Sequence, residues 1–114
     1  MVDIKKIQEN GIEIIDVIGE VDASSSIKLD KAIKDSIDTG YTKIVVDCSN
    51  LEYISSAGLG VFMSYIEEMR KSDVKIIISG LSEKVNNVFQ ILGLDQLLTL
   101  VKNRQEAKDT LNEL

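Results

Sequence analysis

At 114 residues, with 44% hydrophobic and 28% charged side chains, the chain is one domain long and needs no disulfide or metal to fold. It has no His, no Pro, no Trp and a single Cys, which excludes Ser-His-Asp and Cys-His nucleophiles, imidazole metal sites, Cys-rich zinc sites, an internal disulfide and a CxxC redox pair. Thirteen Lys and Arg stand against 19 Asp and Glu, and the net charge of −6 argues against a nucleic-acid partner.

Residues 2–9 and 12–18 read as two strands joined at Asn10-Gly11, a dipeptide that takes positive φ at both central positions of a hairpin turn. The second run, Ile12-Glu13-Ile14-Ile15-Asp16-Val17-Ile18, departs from strict alternation; a bulge or burial on both faces would explain it. Gly19-Glu20-Val21-Asp22 is expected to break the strand, and Ser24-Ser25-Ser26 offers several helix caps. Leu29, Ala32, Ile33 and Ile37 follow at helical spacing, and Gly40 ends that helix. Ile44-Val45-Val46 and Val74-Lys75-Ile76-Ile77-Ile78 are β-branched runs of the kind found in parallel strands covered on both faces. Leu59, Phe62, Met63 and Ile66 mark a helix between them, completing a right-handed βαβ unit.

Ser82 caps a third helix whose inner face reads as Val85, Val88, Phe89 and Leu92. Gly93 ends it, with Leu94 placed for the apolar contact of a Schellman motif. Leu97 to Val101 is expected as an edge strand. Asn103 and Glu106 resemble a capping box opening a last helix that buries Ala107 and Leu111, with Leu114 a further candidate. The order is β-β-α-β-α-β-α-β-α, a single α/β domain over residues 1–114 with a mixed sheet. No apolar run approaches the ~20 residues of a transmembrane helix, and Met1-Val2-Asp3-Ile4-Lys5-Lys6 lacks the apolar core of a signal peptide. The expected compartment is the cytoplasm, without membrane attachment.

The densest signal is Asp47-Cys48-Ser49-Asn50-Leu51-Glu52-Tyr53-Ile54-Ser55-Ser56-Ala57-Gly58-Leu59-Gly60. A strand ends at Asp47, a loop follows, and a helix begins around Ser55 to Ala57. Open α/β folds place their sites at such carboxyl ends of buried strands. Two hydroxyls stand where the first backbone N–H groups of a helix are free, and a phosphate there is favoured by those donors and the helix dipole. The same residues also serve as ordinary helix caps, and Gly58 and Gly60 as close-packing positions. Gly58-Leu59-Gly60 is not a nucleotide loop, because the dinucleotide fingerprint and the P-loop Lys are both missing.

Three motifs in this order, Gly19-Glu20-Val21-Asp22, Ile44-Val45-Val46-Asp47 and Tyr53-Ile54-Ser55-Ser56-Ala57-Gly58-Leu59-Gly60, resemble a STAS domain. The resemblance is to the stand-alone bacterial anti-sigma factor antagonists and covers essentially the whole chain. It implies a STAS fold and a regulatory protein without catalysis of its own, needing no cofactor and no metal. It further implies an anti-sigma factor partner, often a serine kinase with a histidine-kinase-like ATPase fold. That kinase phosphorylates a Ser or Thr at the start of the second helix and so breaks the complex; a PP2C-type phosphatase restores it.

Many antagonists carry the acceptor immediately before Gly, where this chain has Ala57, and an Asp where it has Ser55. Other members are similar to the Ser-Ser-Ala-Gly form seen here, which implies Ser56 as acceptor, with Ser55 the second choice. A chain that is never phosphorylated is the alternative reading, as a STAS binding subunit of a lipid-transport or sensory complex. The resemblance places Asp22, Ser55, Ser56, Ala57, Gly58, Leu59 and Gly60 at the partner-binding surface. Asp22 has an equally weighted structural reading as a helix cap, with Ser24 its rival. Asp47 is read as a loop-orienting acceptor of backbone hydrogen bonds, and Cys48 as a small core residue. A hydrolase built on Ser55, Ser56, Asp22 and Asp47 lacks a general base of suitable pKa.

Overall fold

In a computed structural model that describes residues 1–114, Asn10 and Gly11 take φ of 51° and 81° and join β1 (Val2–Glu9) to β2 (Ile12–Val21) as an antiparallel hairpin. The sequence predicts that the strand breaks at Gly19, but β2 continues to Val21. Residues 12–16 pair in parallel with β3 (Lys43–Asp47), and residues 19–21 pair in parallel with β4 (Leu51–Ile54). Gly19 takes φ of 99°, and by then β2 has passed from β3 to β4, with an irregularity in the new pairing between Gly19 and Glu20. A Cβ at Gly19 would lie 2.6 Å from the Met1 carbonyl oxygen, so only glycine fits there. β4 lies between β3 and the second helix, in a segment that the sequence predicts to be a loop.

Burial on both faces, not a bulge, explains the irregular pattern of Ile12–Ile18, whose register with β1 is unbroken. Ile12 and Ile14 are buried on one face of the sheet and Ile15 and Val17 on the other, while the irregularity lies beyond this run, between Gly19 and Glu20. The sheet runs β1-β2-β3-β5-β6, with β5 (Lys75–Ser79) and β6 (Thr99–Val101) continuing the parallel set and β4 on β2. Ile12, Ile14, Val45 and Ile77 pack under α4 (Arg104–Asn112), which buries Ala107 and Leu111. The opposite face carries the larger core, built on Ile15, Val17, Ile44, Val46, Ile76 and Ile78. It is covered by α1 (Ser26–Thr39), α2 (Ser56–Lys71) and α3 (Glu83–Ile91).

Four details correct the sequence reading. No Ser side chain caps α1, because the Ser25 hydroxyl is engaged with Asp22. The edge strand shrinks to three residues, preceded by a 3-10 turn over Leu94–Gln96, and leaves Leu97 exposed. Leu114 lies beyond the end of α4 and is exposed. On α3 only Val85 and Phe89 turn inward; Val88 and Leu92 are exposed, because the short helix touches the core along a stripe narrower than its apolar face. Phe89 anchors α3 against Phe62 of α2, with ring centroids 5.9 Å apart and planes tilted by 56°.

A polar connection not visible in the sequence joins the hairpin to α1. Glu13, almost fully buried, accepts hydrogen bonds from Gln8 and from the Ser36 hydroxyl (2.7 Å), while Lys6 Nζ donates to Ser36 Oγ and to the Ala32 carbonyl. A buried carboxylate survives only when its oxygens are so partnered.

Candidate functional site

The site is built outward from Asp47 at the end of β3. Its Oδ1 accepts hydrogen bonds from the Ser49 backbone N–H (3.0 Å) and hydroxyl (2.7 Å), fixing the turn that carries the chain from β3 into β4, which runs in the same direction along β2. Gly80 is required opposite this turn, since a Cβ would collide with the Ser49 hydroxyl and it sits at φ 75°. The other oxygen, Oδ2, accepts from Arg104 Nε at 2.8 Å, and a second Arg104 nitrogen lies 3.6 Å from Asp16 Oδ2. Burial opposes ionisation of Asp47, but the Ser49 and Arg104 hydrogen bonds together outweigh it and hold the carboxyl below its usual range. Sequence reasoning missed Arg104. The available signal was that Asp16 and Asp47 are in register on adjacent strands, a placement that calls for a cation.

β4 then delivers the chain to α2. The Ser55 backbone N–H donates to the Val21 carbonyl (2.8 Å), so the serines sit beside the end of β2, one residue from Asp22. Ser55 is the N-cap; its hydroxyl accepts from the Gly58 N–H at 3.2 Å and is half-buried. Ser56 is the first residue of the helix. It is exposed, and no hydrogen bond within the chain engages its hydroxyl. The first turn of α2 carries no acidic side chain, so its helix dipole is uncompensated there.

Neighbouring residues divide between scaffold and surface. Gly58 is buried, and a Cβ there would stand 2.6 Å from Ile54 Cγ1 and 2.8 Å from Val21 Cγ1. Leu59 is buried in the core. Gly58 and Leu59, expected at the partner-binding surface, are both buried and seat α2 on the sheet. Ala57 and Gly60 are exposed and line a shallow groove between α1 and α2 with Ile27 and Ser64. The Tyr65 hydroxyl closes the inner end of that helix pair by donating to Asp30 Oδ1 at 2.7 Å.

Asp22 is exposed, and its Oδ1 accepts from the Ser25 N–H (2.8 Å), the Ser25 hydroxyl (2.8 Å) and the Ser24 hydroxyl (2.9 Å). The Ser25 backbone hydrogen bond first, then the two hydroxyls, hold its carboxyl far below the usual range. It is therefore a fixed, ionised carboxylate at the same end of β2 as the serines, and Ser24 is its donor rather than a rival cap. Cys48 is fully buried, and burial, reinforced by the Asp47 and Asp16 charges, pushes its thiol well above the ordinary range. No group of three or more Cys, Asp or Glu side chains is placed to hold a metal, and no helix is long and apolar enough to cross a membrane.

Comparison with known proteins gives a consistent neighbourhood. The family model for the STAS domain matches residues 3–107. The anti-sigma-B factor antagonist of Staphylococcus aureus is 29% identical over 84 residues, covering 74% of this chain and 78% of its own. An anti-sigma factor antagonist from Mycobacterium paratuberculosis superimposes with a TM-score of 0.89 at 20% identity, over 98% of this chain and 95% of its own. The Bacillus cell fate determinant SpoIIAA in its phosphorylated form superimposes with a TM-score of 0.72 at 21% identity, over 97% and 99% of the two chains. At these identities the structural matches establish a shared fold.

Proposed function

The chain belongs to the STAS domain family, and from that membership we propose that it is an anti-sigma factor antagonist switched by phosphorylation of Ser56. In this reading it binds an anti-sigma factor that is also a serine kinase with a histidine-kinase-like ATPase fold, and so releases a sigma factor. The name of the Staphylococcus aureus relative supports the partner class. The observation that carries the switch is the contrast between the two serines. Ser55 spends its hydroxyl on the Gly58 N–H, whereas the Ser56 hydroxyl is exposed and unengaged at the start of α2.

The kinase transfers the γ-phosphoryl of ATP to Ser56 Oγ; the serine proton passes to a base on the kinase and ADP departs. The product carries about −1.5 to −2 charges beside the fixed carboxylate of Asp22, on a surface that also exposes Glu20 and Glu52. The uncompensated dipole of α2 stabilises the phosphate in the free protein, while a partner packed over the site meets both repulsion and the cost of desolvating it. Phosphorylation thereby favours the free chain. A PP2C-type phosphatase, removing the phosphoryl group by hydrolysis, returns it to the binding form.

The test is to mix the purified chain with the anti-sigma factor kinase of its source organism and ATP, and to map phosphate by mass spectrometry. Stoichiometric phosphate on Ser56 is the expected result. Stable binding with no phosphate on Ser56 or Ser55 would make the chain a constitutive STAS subunit and refute the switch.

A further inference from the structure

One exposed stripe of α3 is apolar, between polar positions such as Asn87 and Gln90. Val88, Ile91 and Leu92 are 36%, 83% and 55% exposed and stand three and four positions apart, on one side of the helix. α3 packs against β4, the strand that delivers Ser55, and there Tyr53 is 49% exposed. Through Phe89 it also meets Phe62 of α2, the neighbour of Met63, which is itself 50% exposed. Ser56 and Met63 are seven residues apart and so share one stripe of α2, away from the side that Tyr65 ties to α1. Exposed apolar side chains thus stand on α3, on β4 beside it, and on the flank of α2 that carries Ser56.

The surroundings of these side chains indicate what covers them. Glu20 pairs in register with Tyr53, and Glu52 and Asp22 are exposed on either side of them. At the N-terminus of α3, Glu83 and Lys84 offset one another. A second copy would bring two such acidic rims together, on chains that each carry a net charge of −6. An apolar surface rimmed by Lys or Arg is the complementary occupant.

We propose that the Val88–Ile91–Leu92 face of α3 is a second docking element for the anti-sigma factor kinase, physically separate from the phosphorylation switch. The proposal rests on the function assigned above. The α3 face supplies affinity that does not depend on a group at the serine itself, and it presents Ser56 to the kinase in a fixed orientation. Ile91, the most exposed of the three, is the principal anchor; burying such a side chain is worth a factor of about 10 to 100 in affinity.

Ile91→Asp tests this, because a side chain so exposed can be replaced without disturbing the core, as circular dichroism and the thermal midpoint will verify. The measurements are affinity for the purified anti-sigma factor kinase of the source organism by titration calorimetry, and steady-state phosphorylation of Ser56 with the chain as substrate. The expected result is at least a tenfold loss of affinity and a matching rise in KM, with kcat within about twofold of wild type. If Ile91→Asp binds as wild type does while Ser56→Asp does not, the functional reading stands and the α3 proposal is overturned. If the wild-type chain neither binds the kinase nor accepts phosphate, the functional reading fails and the proposal with it. Light scattering on the chain alone supplies a further outcome: a dimer dissolved by Ile91→Asp would assign the face to a second copy and overturn the proposal.

Discussion

Replacing Gly58 and Gly60 by Ala, one at a time, should move stability in opposite directions, although the two glycines lie two residues apart on one helix. At Gly58 the new Cβ would sit 2.6 Å from Ile54 Cγ1, 2.8 Å from Val21 Cγ1 and 3.1 Å from Ile54 Cδ1, against the ~3.5–4.0 Å of ordinary carbon contacts. Both neighbours are buried β-branched side chains on paired strands, so they have little rotamer freedom with which to retreat. Overpacking of this kind costs about 1–3 kcal/mol, and the better helix propensity of Ala returns at most about 1 kcal/mol. The net loss is about 1–2 kcal/mol, a fall of roughly 4–8 °C in Tm for a chain this long. At Gly60 nothing lies within 4 Å of the new Cβ, and only the propensity gain of up to ~1 kcal/mol remains, a rise of roughly 2–4 °C. Thermal unfolding followed by circular dichroism, with urea midpoints as a second measure, reads both. If Gly58→Ala were as stable as Gly60→Ala, Gly58 would not be the packing point that seats the start of α2, and the placement of Ser56 would need another cause.

Two further outcomes follow from the same geometry. Ser55→Ala removes the cap on the Gly58 N–H and should cost about 1 kcal/mol in urea unfolding, whereas Ser56→Ala should stay within about 0.5 kcal/mol; equal losses would mean that both hydroxyls serve the fold. Arg104→Met should cost about 1–3 kcal/mol at pH 7, less than a fully buried pair because Arg104 remains about a third exposed. Because the Asp47 carboxyl is depressed in the folded state, its stabilisation is present above the unfolded value near ~3.9 and is lost as pH falls through the folded one. Without Arg104 burial weighs more heavily on Asp47, so acid unfolding should begin at higher pH; an unchanged acid midpoint would contradict the role given to this pair.

The hairpin, the parallel β-branched strands and the capped C-terminal helix were legible because each is specified by residues close in sequence. β4 was not. Its two buried residues, Leu51 and Ile54, are three apart, so the strand shows no two-residue period, and it pairs only with residues 19–21 at the end of β2, across an irregular register. The Asp47–Arg104 contact spans 57 residues, a separation at which pattern carries no information. The apolar spacing of Val85, Val88, Phe89 and Leu92 is real, but spacing does not say which edge of a stripe meets the core; here two of the four face outward. At the site, the motif located both serines and Asp22. Which hydroxyl is free, and which glycine is packing rather than surface, depends on the neighbours that β2 and β4 supply.

The most direct test of the proposed switch is the affinity of the anti-sigma factor kinase for two preparations of the same chain, one unmodified and one phosphorylated at Ser56 alone. A loss of at least 100-fold on phosphorylation is expected, about 2.7 kcal/mol of repulsion and desolvation placed at one hydroxyl. Equal affinities would contradict it, leaving a STAS domain that binds its partner whatever the state of Ser56.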